Sequence, residues 1–391
     1  MPIRNAPSQI PTTLRFMGSR LAHRMRGGGH VPVPDFRGRV ELAVQALGDE
    51  AVLRCDWITV QPGAEPWLDT GLSLPAGQAV SLIADGMVYA SRPLDVGFEA
   101  KMGLWYRVGD SELAKIVGNA STFYSGKGGA LHLTAKPPGE FADRLGAFEP
   151  AYPRKPLSGA FTVAVIQWRG DAVAALQVAA KLEPELFEPA LQRLQTPVAP
   201  PPGWHYLWRL GQGEIFTPQA DDASALCCHT RSDVGILQFP VDRPLTRDSF
   251  VSWSWCVEQL PSTLPEHIEP THDYLSLAVE FDNGLDLTWM WSASLPVDTI
   301  FQCPLAWWNE RETHWVVRSG TEQLGQWLDE RRNLQDDYRK AIGDDLPKRV
   351  VAVWLIANTV FQRGEGKCEY RNILLQDASG SERIVGANRS A

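Results

Sequence analysis

The chain has 391 residues, 44% hydrophobic and 21% charged, the composition of a soluble globular protein with room for two domains. Its formal charge of −9 argues against nonspecific binding to DNA or RNA, which needs clustered Lys and Arg. No stretch reaches the roughly 18 apolar residues of a membrane span, so neither nucleic acid nor membrane is an expected partner.

The chain opens on MPIRNAPSQIPTTLRFMGSRLAHRMRGGGH, with Arg4, Arg15, Arg20, Arg24 and Arg26 and no acid. No apolar run there is long enough for a secretory signal. Residues 1–45 therefore read as a flexible basic tail. The six cysteines show no C-x-x-C spacing and read as reduced thiols, which points to a cytoplasmic location.

Residues 46–182 read as short strands. QAVSLIADGMVYAS, GALHLTA and GAFTVAVIQW alternate at period two, and LPAGQ, GKGG, KPPGE and RKPLSG punctuate them. Such a set predicts a β-sandwich. Residues 183–203 end in PVAPPPG, where prolines favour polyproline II, and read as a linker whose first part can form a short helix.

From Trp204 to the end strands resume in DSFVSWSWCVEQL, YLSLAVEFDNG, LDLTWMWSAS, THWVVRSG and RVVAVWLIANTV. Asn283-Gly284 predicts a hairpin turn. TEQLGQWLDERRNLQDDYRKAIGDD reads as helical: Leu324, Trp327, Leu328 and Arg331 form a stripe, Asn333 caps a second piece, and Gly343 can end it. The expected fold is all-β, two sandwiches with one helical insertion.

Two stretches carry resemblances. FVSWSWCVEQLP, HDYLSLAVEFDN, LTWMWSASLPVDTIF and WVVRSGTEQLGQWLDERRNLQDDYRKAIG, in that order, resemble a bacterial family catalogued as domain of unknown function 3047, over about residues 203–376. The resemblance implies a jelly-roll-like sandwich and no reaction. That family's last strand carries several Asp and Thr residues before an Asn; here VVAVWLIANTV keeps Asn358 without the acids. WLDTGLSLPAGQAVSLIADGMVYAS and GAFEPAYPRKPLSGAFTVAVIQW resemble the calcium-dependent galactose-binding lectin fold of the PA-I type. By that resemblance Tyr89 matches a ligand carbonyl, Glu149 falls at a ligand Asp, and Ser158-Gly159 matches a Ser-Gly. Pro156, Leu157 and Pro153 replace two Asn and a Thr. Calcium wants several oxygen ligands. The resemblance thus implies the fold without its calcium site, and no cofactor is expected.

The candidate sites follow from strand phase. Trp253 and Trp255 share an apolar face with Val251 and Val257 and read as core. Trp289 and Trp291, beside Leu287, read as core too, although eleven Trp after residue 200 also suggest exposed rings that stack on sugars. The opposite faces carry the polar groups. Tyr274, Ser276, Ala278 and Glu280 share one, as do His314, Val316 and Arg318, and Ala352, Trp354, Ile356 and Asn358. If these faces join, Glu280 and Arg318 orient a small polar ligand while Trp354, Asn358 and Tyr274 line the site. The alternative is a solvated outer sheet with a weak surface ion pair. PEHIEPTHDY crowds Glu266, His267, Glu269, His272 and Asp273. Of these, His267, His272 and Asp273 are metal candidates, against the plainer reading of a polar loop.

These residues point first to non-catalytic binding of a carbohydrate or similar small polar ligand. A second reading is a lyase or hydrolase acting on a glycoside or secondary metabolite, with Glu280 as base and His314 or Arg318 stabilising charge. A third is an interaction protein with aromatics at a homo-oligomer interface.

Overall fold

In a sheet that is wet on one face, apolar residues should mark the inner face alone. The N-terminal half departs from that rule, and its helices supply the reason. The computed structural model describes residues 5–63, 67–137, 141, 143–148, 156–209, 214–219, 225–306 and 308–385. It divides into two compact units, one built on residues 17–198, the other on 1–16, 199–209 and 213–391. Both are two-sheet sandwiches, so the chain is an all-β protein with added helices.

The first unit holds β1 (Val52–Val60), β2 (Leu68–Leu74), β3 (Ala79–Ser91), β4 (Val96–Glu99), β5 (Leu104–Val108), β6 (Ala114–Lys115), β7 (Ala120–Tyr124), β8 (Gly129–Ala135) and β9 (Ser158–Trp168). One sheet runs β1-β9-β3-β4 with β7 also on β3; the other runs β2-β8-β5-β6. Leu82, Phe161, Val163 and Val165 pack between the sheets against Leu104, Leu131 and Leu133. Ile83, Ala164, Ile166 and Trp168 point the other way and are buried as well.

Helices cover that second face. Val40 of α2 (Phe36–Ala51), Leu176 of α4 (Ala172–Leu182) and Phe187 of α5 (Pro184–Gln195) pack onto it. A further helix, α1, spans Gln9–Met25, and a single turn, α3, spans Ala100–Gly103.

The flexible tail expected over residues 1–45 is therefore corrected: α1 and most of α2 lie within it. Their partners stand in distant segments, which composition cannot show. Arg20 donates to Leu94 O at 3.0 Å and to Asp95 Oδ2 at 2.6 Å. Val40 is fully buried. The Pro-rich stretch begins as α5, with Pro184 at a first-turn position where its missing N–H costs nothing.

The second unit holds β10 (His205–Arg209), β11 (Phe216–Pro218), β12 (Ala225–Arg231), β13 (Val234–Pro244), β14 (Phe250–Gln259), β15 (Tyr274–Phe281), β16 (Asp286–Ser292), β17 (Ile300–Gln302), β18 (Glu312–Ser319), β19 (Leu328–Asn333), β20 (Arg349–Asn358), β21 (Glu365–Asp377) and β22 (Gly380–Val385), with α6 at Leu334–Ala341. A seven-stranded sheet runs β10-β13-β20-β15-β16-β18-β17, and a six-stranded sheet runs β11-β12-β21-β14-β19 with β22 on β21. The Asn283-Gly284 turn joins β15 to β16. Gly284 has φ 78°, which glycine adopts without a Cβ penalty, and Glu280 pairs with Asp286.

The two Trp pairs meet in the core between these sheets. Trp253 lies 5.8 Å from Trp289 and Trp255 lies 5.5 Å from Trp291, ring centroid to centroid. Contacts of this kind add roughly 0.5–1.5 kcal/mol each beyond the area they bury. Three of the four indole N–H groups are satisfied, by Asp337, Glu330 and the Gly320 carbonyl. Trp253 Nε1 finds no partner among the described residues.

The helical reading of residues 321–332 is corrected. Leu328–Asn333 is the edge strand β19, paired with Trp255–Phe250 of β14. Its charges blunt an exposed sheet edge. The second piece is helical as α6, and Asn333 Oδ1 caps it by accepting the Asp336 N–H at 2.9 Å.

The first described residues belong to this second unit. Asn5 donates to Asp298 O at 3.0 Å and accepts the Ile300 N–H at 2.7 Å. Gln9 donates to His267 O at 3.0 Å.

Candidate functional site

Alternation along β13, β15, β16, β18 and β20 sends one set of side chains into the tryptophan core and the other to the outer face of the seven-stranded sheet. The outer set includes Tyr274 and Ala278 of β15, Met290 of β16, Val316 of β18, and Trp354 and Ile356 of β20. Glu280, Tyr274, Trp354, His314 and Asn358 all lie on this sheet, but only Glu280 is partly exposed; Tyr274, Trp354, His314 and Asn358 are buried, so they do not line an open ligand surface. The structure does not bring Arg318 to the outer face.

The register of β18 against β16 explains the exception. Met290 pairs with Val316, but Trp291 pairs with Arg318, so Val317 is an extra residue. A bulge of this kind flips every later side chain to the opposite face. Arg318 points away from Glu280, and its Nε donates to Glu330 Oε1 of β19 at 2.6 Å. The expectation that Glu280 and Arg318 share a site is therefore wrong.

Arg311, in the turn before β18, takes that place. Its Nη2 donates to Glu280 Oε1 and its Nε to Asp286 Oδ2, both at 3.2 Å. The guanidinium lies 4.9 Å from the Trp308 ring centroid and 5.1 Å from that of Trp354. Gln238 donates to Glu280 Oε2 at 2.9 Å, and His205 Nε2 meets Gln238 Oε1 at 2.7 Å. The Arg311 side chain is 33% exposed and that of Glu280 19%, whereas Asp286 is fully buried. Burial, then the neighbouring Glu312 carboxylate, push Asp286 well above the usual carboxylate range, against the pull of Arg311. The arrangement offers a partly wet cation and anion beside two indoles.

A second cluster lies deeper on the same sheet. Glu312 and His314 stand two apart on β18 and share a face. His272 comes from the loop before β15, and Cys303 follows β17. All four are buried, and one ligand atom from each lies within 4.8 Å of the others. Sγ of Cys303 is 3.5 Å from His272 Nε2, and His314 Nε2 is 3.4 Å from Glu312 Oε1. Tyr274 and Thr288 hydroxyls each donate to Glu312 Oε1 at 3.1 Å. The His314 ring stacks on Phe301 with centroids 5.0 Å apart.

Burial, then His314, drive His272 down to about 3, so it is a neutral imidazole. Burial works to raise Glu312, but His314, His272 and Cys303 overcome it and hold Glu312 down at about 2. Burial, then Glu312, raise the Cys303 thiol well above its usual value.

The metal candidates of the 265–274 loop separate. Only His272 reaches the cluster. Both Asp273 oxygens accept backbone N–H groups, from Phe361 at 2.9 Å and Gln362 at 2.7 Å, and burial still pushes its carboxyl up to about 7. His267 is buried apart from the cluster, with the Gln9 amide on its carbonyl. Asn358 spends its amide on the His272 carbonyl at 2.8 Å, a positioning contact. In the N-terminal unit, Tyr89 sits on β3 under the Arg92 guanidinium, 4.9 Å from its ring centroid, and Glu149 lies outside the described residues. Sequence reasoning missed Arg311, Cys303 and Glu312. The spacing Glu312-x-His314 in a strand was the available signal.

Residues 212–374 match the family model described as protein of unknown function (DUF3047). The matched region contains Gln238, Glu280 and Arg311 and all four residues of the second cluster, while His205 lies before it. No curated protein matches the chain. Among solved structures, the EclA N-terminal domain, a PllA-like lectin, is 18% identical; the match covers 31% of this chain and 99% of that one, with a TM-score of 0.23. The xyloglucanase domain of NopAA from Sinorhizobium fredii is 9% identical over 46% of this chain and 93% of that one, TM-score 0.29. A family 11 carbohydrate-binding module of Clostridium thermocellum Lic26A-Cel5E is 11% identical over 49% and 91%, TM-score 0.22. No helix among the described residues is long and apolar enough to cross a membrane.

Proposed function

We propose that the outer face of the seven-stranded sheet binds a carbohydrate or a similar small polar ligand without turning it over. One observation carries this reading: Arg311, a third exposed, is held between the Trp308 and Trp354 rings while paired to Glu280. Sugar hydroxyls need paired donors and acceptors, which the guanidinium and carboxylate offer at fixed positions. The apolar faces of sugar rings need flat aromatic surface, which the half-buried Trp308 offers with the buried Trp354 behind it. The residues of the site are Glu280, Arg311, Trp308, Trp354 and Gln238.

The test is a glycan array probed with the full chain, followed by calorimetric titration of any hit and analysis of the glycan after incubation. Saturable binding with intact glycan, weakened by Arg311→Ala, supports the reading. Cleavage of the bound glycan would shift it to a hydrolase or lyase with Glu280 as base. Binding unaffected by Arg311→Ala would remove this face from the account.

A further inference from the structure

We propose that His272, Cys303, Glu312 and His314 form a binding site for one divalent transition-metal ion, with zinc the best fit. This does not rest on the ligand reading above. Zinc takes nitrogen at about 2.0–2.1 Å, sulfur at about 2.3 Å and carboxylate oxygen at about 2.0–2.2 Å, so tetrahedral donors stand roughly 3.3–3.8 Å apart. The Cys303–His272 separation of 3.5 Å and the His314–Glu312 separation of 3.4 Å already fall in that band. The widest separation, within 4.8 Å, asks only for a small contraction.

The donors are also aimed. His272 Nδ1 meets the Glu266 carbonyl oxygen at 2.7 Å. A carbonyl can only accept, so Nδ1 carries the proton and the Nε2 lone pair faces the cluster. Asn358 fixes the same residue through its carbonyl. Tyr274 and Thr288 both donate to Glu312 Oε1, which holds that carboxylate beside His314 Nε2. These are the supporting contacts that metal ligands usually have.

His314 supplies a separate argument. It is fully buried; Nδ1 makes no hydrogen bond among the described residues, and Nε2 has only a long contact to Glu312 Oε1, at 3.4 Å. Buried polar groups in native structures are almost always satisfied. A metal between Nε2 and Glu312 would replace that long contact with a bond to each.

Charge and hardness then select the ion. One thiolate and one carboxylate neutralise a divalent cation, so the loaded site carries no net charge into a buried place. Calcium and magnesium prefer oxygen donors throughout, whereas a mixed nitrogen, sulfur and oxygen set suits zinc. Four protein donors complete a tetrahedron, the pattern of a structural site that ties the loop before β15 to β17 and β18.

The test replaces zinc with cobalt(II) in the full chain after removal of metal by chelator. The expected result is tetrahedral d–d absorption together with a thiolate-to-cobalt charge-transfer band that saturates at a single equivalent. Cys303→Ser should abolish that band. A wild-type chain with no saturable band overturns the proposal, and so does a band that survives Cys303→Ser, which would belong to another cysteine. Should Cys303→Ser fail to fold, His314→Cys replaces it. That variant keeps a ligand and adds a thiolate, so the charge-transfer band should strengthen; an unchanged band overturns the proposal equally.

Discussion

The cation that meets Glu280 is Arg311, whose Nη2 donates to Glu280 Oε1 at 3.2 Å. Arg318, two strand positions beyond Val316, is turned away by the bulge and belongs to Glu330. The two arginines therefore make an internal control. Arg311→Ala should weaken ligand binding at least about tenfold, or about 1.4 kcal/mol, because it strips the donor from a partly desolvated carboxylate. Arg318→Ala should leave affinity unchanged. Calorimetric titration of both variants decides it, and equal effects would return the site to the other face.

The tryptophan core makes a second prediction. Trp289 Nε1 donates to Asp337 Oδ2 at 3.0 Å, whereas Trp253 Nε1 is buried without a partner among the described residues. Trp289→Phe removes a hydrogen bond and Trp253→Phe removes an unmet donor. Trp289→Phe should therefore be the more costly by about 1 kcal/mol in guanidinium unfolding. Equal midpoints would mean that the Trp253 N–H is satisfied in solution.

A third concerns the α6 cap. Asn333 accepts the Asp336 N–H and also donates to the Arg247 carbonyl at 2.7 Å. Asn333→Ala should cost about 1 kcal/mol. The exchange rate of the Asp336 amide should rise, and hydrogen exchange resolved by residue reads it directly.

A fourth tests the attachment of the first described residues. Asn5→Ala leaves the Ile300 N–H without its acceptor, which should destabilise the second unit by about 1–2 kcal/mol. Loss of protection at the Ile300 amide, with amides of the first unit unchanged, is the expected exchange pattern. An unaltered Ile300 amide would show that the contact contributes nothing.

Strand phase was legible wherever a segment ran without interruption. YLSLAVEF and VVAVWLIAN placed Glu280, Tyr274, Trp354 and Asn358 on one face because side chains alternate strictly along regular strands. A single extra residue, Val317, was enough to misplace Arg318, and nothing in THWVVRSG marks a bulge. The stripe Leu324, Trp327, Leu328 and Arg331 has helical spacing, yet tertiary pairing with β14 makes its second half a strand. The His272, Cys303, Glu312 and His314 cluster was hidden for a different reason. Its donors come from three segments, and no short spacing motif joins Cys303 to the rest. In α1, the acid-free composition could not reveal that Arg20 finds its carboxylate at Asp95.

Asn5 and Asp298 are 293 residues apart yet hydrogen-bonded, which gives the second unit an interrupted sequence. During synthesis Asn5 leaves the ribosome before the strands that dock it, which are made only after the whole intervening sandwich. That sandwich has its own core and can close while the opening segment waits. Long-range closure of this kind is slow relative to local pairing. A cut between Asn5 and the first sandwich should therefore disturb the second unit, the reverse of what the linear order suggests.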